Sequence, residues 1–288
     1  MISRRALSGS LLLAGIVIGT VVDRAPQRTI PTAGGYSIVA GDFHVHASPG
    51  DGALTPWALR DEAARVGLDV FAVTNHNNTV ATHLWRRFAR GAAGVIVIPG
   101  EEITNPAYHL IAVGTRETIS GRQSAAAAIA AVHAQGGVAI AAHPMRKFWG
   151  GYPDPALASL DGSEVAHPDA RRTPTARAEF DAFNARGRAA AADGTFATIG
   201  SSDVHIAPAL GVCRTYLLVR ERSEAGVIEA IRSGRTVAVD EKGRLYGDPE
   251  LVRLVDSNRP AGPVDPHPAW RRMATAMVWL SVIGLLLI

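Results

Sequence analysis

A single cysteine, Cys213, stands among 288 residues. No internal disulfide is available, therefore, and no zinc site built on thiolates. Charge is sparse as well: Asp, Glu, Lys and Arg make up 19% of the chain, and the formal net charge is +3. There is no long basic run and no interleaving of basic with aromatic residues, so the composition offers no case for nucleic-acid binding. Internal repeats and low-complexity arrays are missing too. Apolar material is what the chain has in quantity. Hydrophobic residues reach 47%, enough for a sizeable core, and the length allows one large domain or two small ones.

The two ends differ from the middle. After Arg4 and Arg5, residues 6–22 carry no charge; after Arg271 and Arg272, residues 273–288 are again uncharged and end in a Leu-rich run. About 17 to 20 apolar residues are needed to cross a bilayer. The expectation is an N-terminal signal anchor or signal peptide with its linker over residues 1–30. Retention as an anchor is favoured, because no small-x-small cleavage site precedes Asp23. A linker over 251–272 would then lead to a C-terminal transmembrane helix over 273–288. The arginine pair at the start favours an inside N-terminus, which makes the protein membrane-associated with the domain between the two ends extracytoplasmic.

Between the ends, over residues 31–250, strand and helix patterns alternate. Strands are expected at 36–46, 68–74, 95–98, 109–113, 138–142, 196–199, 216–219 and 236–239. Helices are expected at 55–66, 79–90, 124–135, 176–192 and 223–233. Thr55 suits the N-cap before Pro56, and Gly67 suits the stop. Residues 146–174, rich in Pro, Gly and Asp, read as a long excursion with one strand near Glu164. Alternation of this kind predicts a mostly parallel α/β sheet or barrel, with its active groups at the C-terminal ends of the strands.

The histidines fall where that rule points. His44 and His46 end the first strand and, as alternate residues, point the same way. Asp51 follows in a turn. His76 comes just after the second strand, Glu102 after the third with Glu101 as a competitor, and His109 at the start of the fourth. His143 closes the strand 138–142, and Asp203 with His205 follows 196–199. Six of the ten histidines belong to this set. Imidazoles and carboxylates gathered at strand ends suit zinc, manganese or iron(II). His83, His133, His167 and His267 lie on expected helices, in the excursion or in the tail, and are read as bystanders.

The local motifs sharpen this. Asp42-Phe43-His44-Val45-His46 followed by Asp51-Gly52 resembles the opening motif of the PHP (polymerase and histidinol phosphatase) family. The stretch from Gly67 to Asn77, ending Thr74-Asn75-His76, resembles its second motif, with Asn75 where Asp is usual. Gly100-Glu101-Glu102 resembles the Gly-x-Glu strand end and favours Glu102 over Glu101. Tyr108-His109-Leu110, Ala142-His143-Pro144 and the run from Gly200 to His205 complete the family's order. Residues 230–238 resemble the CehA/McbA-like branch. A long insert, 146–198, separates His143 from Asp203.

The resemblance implies a distorted (β/α)7 barrel with two or three divalent metals (Zn, Mn or Fe) at its mouth; the composition of the two ends adds N- and C-terminal hydrophobic helices on either side of it. His44, His46, Glu102 and Asp203 would hold one metal. Glu102 would bridge to a second, also bound by His109 and His143, while Asp51, His76 and His205 would hold a third. Glu102 and Asp203 thereby carry the catalytic role, and Asp42 would orient a histidine. The implied activity is metal-dependent hydrolysis, foremost of a phosphorylated small molecule, with Arg146 or Lys147 clamping a phosphate oxygen. The alternatives are ester, amide or carbamate hydrolysis on the same metals, or a membrane-tethered domain that binds metal or ligand without catalysis.

Overall fold

The computed structural model describes residues 4–22, 29–88, 94–191, 194–206 and 209–259, with 279, 282 and 283. The chain divides into two units, residues 29–260 and the terminal segments 1–28 and 261–288. In the terminal unit, helix α1 spans Arg4–Val22. No helix among the described residues is long and apolar enough to cross a membrane, which corrects the expectation of a spanning first helix. Two of the 19 residues of α1 are Arg4 and Arg5, and Ser8, Gly9, Ser10, Gly15, Gly19 and Thr20 dilute its apolar content. The expected C-terminal helix, 273–288, lies outside the described residues except at 279, 282 and 283.

In the larger unit, eleven strands build one sheet: β1 (Thr32–Ala33), β2 (Tyr36–Val45), β3 (Val70–Val73), β4 (Ile96–Asn105), β5 (Tyr108–Val113), β6 (Val138–Ala141), β7 (Gly162–Ala166), β8 (Ala197–Gly200), β9 (Arg214–Val219), β10 (Thr236–Val239) and β11 (Leu245–Gly247). Ten of them run in the order β11-β10-β9-β2-β3-β4-β5-β6-β7-β8, with β1 paired to β2. Helices α2 (Pro56–Val66), α3 (Val80–Phe88), α4 (Ala125–Ala134), α5 (Asp154–Ala158), α6 (Pro174–Ala190), α7 (Glu224–Arg232) and α8 (Pro249–Asn258) accompany them. The helix signals act as expected. The Thr55 hydroxyl caps Ala58 N, Pro56 takes the first position, and Gly67 ends α2 at φ 78°.

The sheet is mixed rather than mostly parallel. Four neighbouring pairs on the ten-strand path are parallel and five antiparallel. Connection length is the reason. Only Pro106 and Ala107 separate β4 from β5, which is too short for the crossover that a parallel pair needs. The stretch expected as an insert is part of the barrel: β7 pairs with β6 on one side and β8 on the other. The expected linker begins as α8, whose Val255 is fully buried.

One apolar cluster gathers side chains from β2 to β6, β8 and β9, with Val227 and Ile228 of α7, and so fills the interior. The sheet curls until β8 faces β9 and β10, and threonines bridge the seam. Thr236 Oγ1 accepts from Thr198 N (2.9 Å); Thr215 Oγ1 accepts from Gly200 N (2.9 Å) and donates to Gly200 O (2.9 Å). The result is a nearly closed α/β barrel.

Candidate metal centre

The site begins with an irregularity in β2. Val39 and Phe43 belong to the inner cluster, whereas Val45 and Ala47 pack outside with α2. The pairing with β3 shifts between Asp42 and Val45, and this bulge turns His44 and His46 inward. Both are completely buried. Asp42 secures the bulge by accepting N–H groups of His44 (3.3 Å), Ser202 (3.1 Å) and Gly211 (2.9 Å). It braces backbone rather than orienting an imidazole, which corrects the expectation. The chain then folds back tightly: a Cβ on Gly52 would lie 2.0 Å from the His46 carbonyl oxygen. That return brings Asp51 Oδ1 to 3.1 Å from His46 Nδ1.

Alternation along β4 separates the two adjacent glutamates. Ile98 faces inward, so Glu102 does too, while Glu101 faces the outer layer and accepts the N–H of Ile119 (2.6 Å). Glu102 is the hub. Its Oε1 lies 2.8 Å from His109 Nδ1 and 3.1 Å from His143 Nε2; its Oε2 lies 2.8 Å from His76 Nδ1 and 3.2 Å from His44 Nε2. Asp203 Oδ1 stands 3.2 Å from Nε2 of both His44 and His46, and His205 Nε2 is 3.6 Å from Asp51 Oδ2. All nine expected ligands therefore meet, in five overlapping groups whose donor atoms lie within 4.8 Å of one another. His143 and Asp203 adopt φ values of 23° and 53°. Residues with side chains are held there at roughly 1–3 kcal/mol each, and only where their surroundings demand it.

Two members of these groups were not expected. Glu164, on β7, places Oε1 3.1 Å from His44 Nδ1 and accepts the His143 N–H through Oε2. The first contact directs His44 Nε2 at the centre. His167, read as a bystander, is buried with Nε2 3.6 Å from Asp203 Oδ2. The strand pattern near Glu164 held the signal: with Glu164 inward, His167 lies just past the strand end. Of the other expected bystanders, His83 bonds Thr79 (3.1 Å) and His133 bonds Asp161 (2.8 Å), both apart from the centre; His267 lies outside the described residues. Arg146 and Lys147 are exposed. Arg146 stacks on Trp149 (4.5 Å), and Lys147 lies over Phe148 (4.5 Å), whose ring is 4.6 Å from that of His109.

Burial disfavours the charges of His44, Glu102, Glu164 and Asp203, yet opposite charges outweigh it. Desolvation alone would lower the His44 pKa, but Asp203, Glu102 and Glu164 hold it well above the usual imidazole value. Burial would raise the Glu102 carboxyl; His44, with hydrogen bonds from His109 and His143, pulls it well below the carboxylate range. Glu164 is drawn against burial to about 2 by His167 and His44, and Asp203 is lowered by His44 and His167. This cavity demands positive charge.

The donors fit a divalent ion. Four buried atoms crowd together without a well-aligned hydrogen bond among the described residues: His44 Nε2, His46 Nε2, Glu102 Oε2 (close to His76 Nδ1 but not in bonding geometry) and Asp203 Oδ1. Orphaned buried polar atoms are costly, and a shared cation satisfies all four. The set holds imidazole nitrogen and carboxylate oxygen without thiolate, which suits Zn, Mn or Fe.

Residues 181–236 match a family model described as PHP-associated. A structure from Bacteroides vulgatus, of a two-domain protein containing a predicted PHP-like metal-dependent phosphoesterase, is 23% identical to the chain. The alignment covers 81% of this chain and 74% of that one, with a TM-score of 0.63. The fold is PHP-type. PsfC from Pseudomonas syringae is 19% identical over 83% of this chain and 99% of that one, with a TM-score of 0.49. The lesion-specific endonuclease PfuEndoQ from Pyrococcus furiosus is 14% identical over 68% and 56%, with a TM-score of 0.43. No curated protein matches the sequence. In this PHP-type barrel the donor residues sit at or just beyond the ends of β2, β3, β6 and β8, and within β4 and β5. The family-model match and the fold likeness together support the PHP family.

Proposed function

We propose that the protein is a PHP-family phosphoesterase of the CehA/McbA-like branch, working with two or three divalent metals. The observation that carries this reading is the convergence of the four orphaned donor atoms of His44, His46, Glu102 and Asp203. The branch assignment draws on residues 230–238, which run from the end of α7 into β10. His44, His46, Glu102 and Asp203 would hold one ion, Glu102, His109 and His143 a second, and Asp51, His76 and His205 a third. Such ions supply Lewis acidity and a water acidified toward neutral pH. The chain's own residues do the positioning. Glu164 fixes the His44 tautomer, Asp51 contacts His46, and the Asp42 brace joins the His44 backbone to the loop that bears Asp203.

The test is turnover of an aryl phosphodiester and an aryl phosphate by protein loaded with manganese or zinc, beside an aryl carboxylic ester under the same metal. His44→Ala and Asp203→Ala should abolish phosphoester turnover and lower the bound metal while circular dichroism stays native. Full activity in either variant would falsify the ligand assignment. Turnover of the carboxylic ester alone would favour ester or amide hydrolysis. Loaded metal with no turnover of any of the three would leave a binding domain.

A further inference from the structure

A cavity of about 290 Å³ adjoins the donor cluster, between the turn Pro168–Arg171, the start of α6 and the β10–β11 hairpin. His167 belongs to both. It lines the cavity, and its Nε2 faces Asp203. Its Nδ1 accepts the N–H of Asp169 (3.0 Å), so the neutral ring carries its proton on Nε2 and offers a donor at the junction.

The rest of the lining is rich in cations. Arg171 reaches the cavity from one side, Lys242 and Arg244 from the hairpin. All three are exposed, and among the described residues no carboxylate lies within ion-pair distance of their side chains. A fourth cation, Arg177, is already committed to Asp181 through bonds of 3.0 and 2.6 Å. Two acids also line the space, but Asp240 accepts the N–H groups of Lys242 and Arg244 and the Tyr246 hydroxyl, and Glu241 faces the Cys213 thiol (3.8 Å). The N-terminus of α6, at Thr173 and Pro174, adds the positive end of a 17-residue helix. Unpaired cations and a helix N-terminus around one cavity suit a multiply charged anion.

We propose that this pocket receives a second phosphate of the substrate, remote from the one that reacts. The substrate class is then a small molecule bearing two phosphates rather than a simple monoester. The reacting end rests on the phosphoesterase reading above; occupancy of the pocket is measurable without turnover.

The experiment titrates inorganic phosphate by calorimetry into dialysed, metal-free protein. The variants are Arg171→Ala, Lys242→Ala with Arg244→Ala, and Arg86→Ala with Arg87→Ala, which removes the same charge from α3. In parallel, KM is measured for a sugar bisphosphate and its monophosphate with metal-loaded protein. The expected result is phosphate binding weakened about tenfold or more by the Lys242/Arg244 pair and by Arg171→Ala, but not by the α3 pair. KM should then rise for the bisphosphate far more than for the monophosphate. No phosphate binding by the unaltered protein, equal weakening by both double variants, or equal KM changes for both substrates overturns the proposal. Phosphate binding through Lys242 and Arg244 in a protein that hydrolyses no phosphoester sinks the phosphoesterase reading and leaves an anion pocket standing.

Discussion

Glu164 Oε1 lies 3.1 Å from His44 Nδ1, although 120 residues separate the two along the chain. The contact joins β7 to the end of β2 and decides which nitrogen His44 turns toward the centre. Glu164→Gln keeps the shape and removes the charge that favours an Nδ1 proton. Metal affinity should fall about 10- to 100-fold with the fold intact. Competition with a chromophoric chelator measures it, and unchanged affinity would show that the contact does not orient the ligand.

Gly52 governs the return of the chain over His46. With a Cβ directed 2.0 Å from a backbone oxygen, Gly52→Ala must displace the 48–52 loop. The expected loss of stability is about 1–3 kcal/mol, and Asp51 should move away from His46. Urea unfolding reads the first effect; metal stoichiometry reads the second.

The barrel seam depends on hydroxyls. Thr236→Val orphans the Thr198 N–H, and Thr215→Val orphans both polar groups of Gly200. Each change should cost about 1–3 kcal/mol, whereas serine at either position should recover most of it. Serine variants as unstable as the valine ones would point to packing rather than hydrogen bonding.

Glu101 makes stability depend on pH. Burial pushes its carboxyl up to about 7, against a hydrogen bond from Ile119 that lowers it, from an ordinary value of 4.5. Between these values the unfolded chain has lost this proton and the folded chain retains it, so stability falls as pH rises through the window. In metal-free protein, Glu101→Gln should remove that part of the slope while its amide oxygen still accepts from Ile119. Denaturant midpoints at pH 4.5, 5.5 and 7 test this, and an unaltered slope refutes it.

Legibility differed from residue to residue. The nine ligand candidates were readable because each sits at a strand end or on an inward strand face, and the order of motifs carries that placement. Helix α2 was readable from Thr55, Pro56 and Gly67, since capping is a local interaction. The β2 bulge was not, because it is defined by a mismatch with β3 that β2 does not contain. Glu164 and His167 sit in a stretch rich in Pro, Gly and Asp whose one strand was readable, but its pairing with β6 and β8 was not, and so the stretch looked like an insert. The apolar stretch 6–22 forms a helix as its composition suggests, but composition near the lower length limit is not a span.

Composition, period and local motif were enough to determine an α/β chain, its helix starts and stops, and a set of imidazoles and carboxylates bound for one mouth. These depend on interactions over a few residues. Only the tertiary structure decided that four donor atoms are left without a well-aligned hydrogen bond, that Glu164 fixes the His44 ring, and that the Arg171, Lys242 and Arg244 side chains share a cavity with His167. Each of those facts is a distance between groups far apart in the chain, set by how the strands register and how the barrel closes.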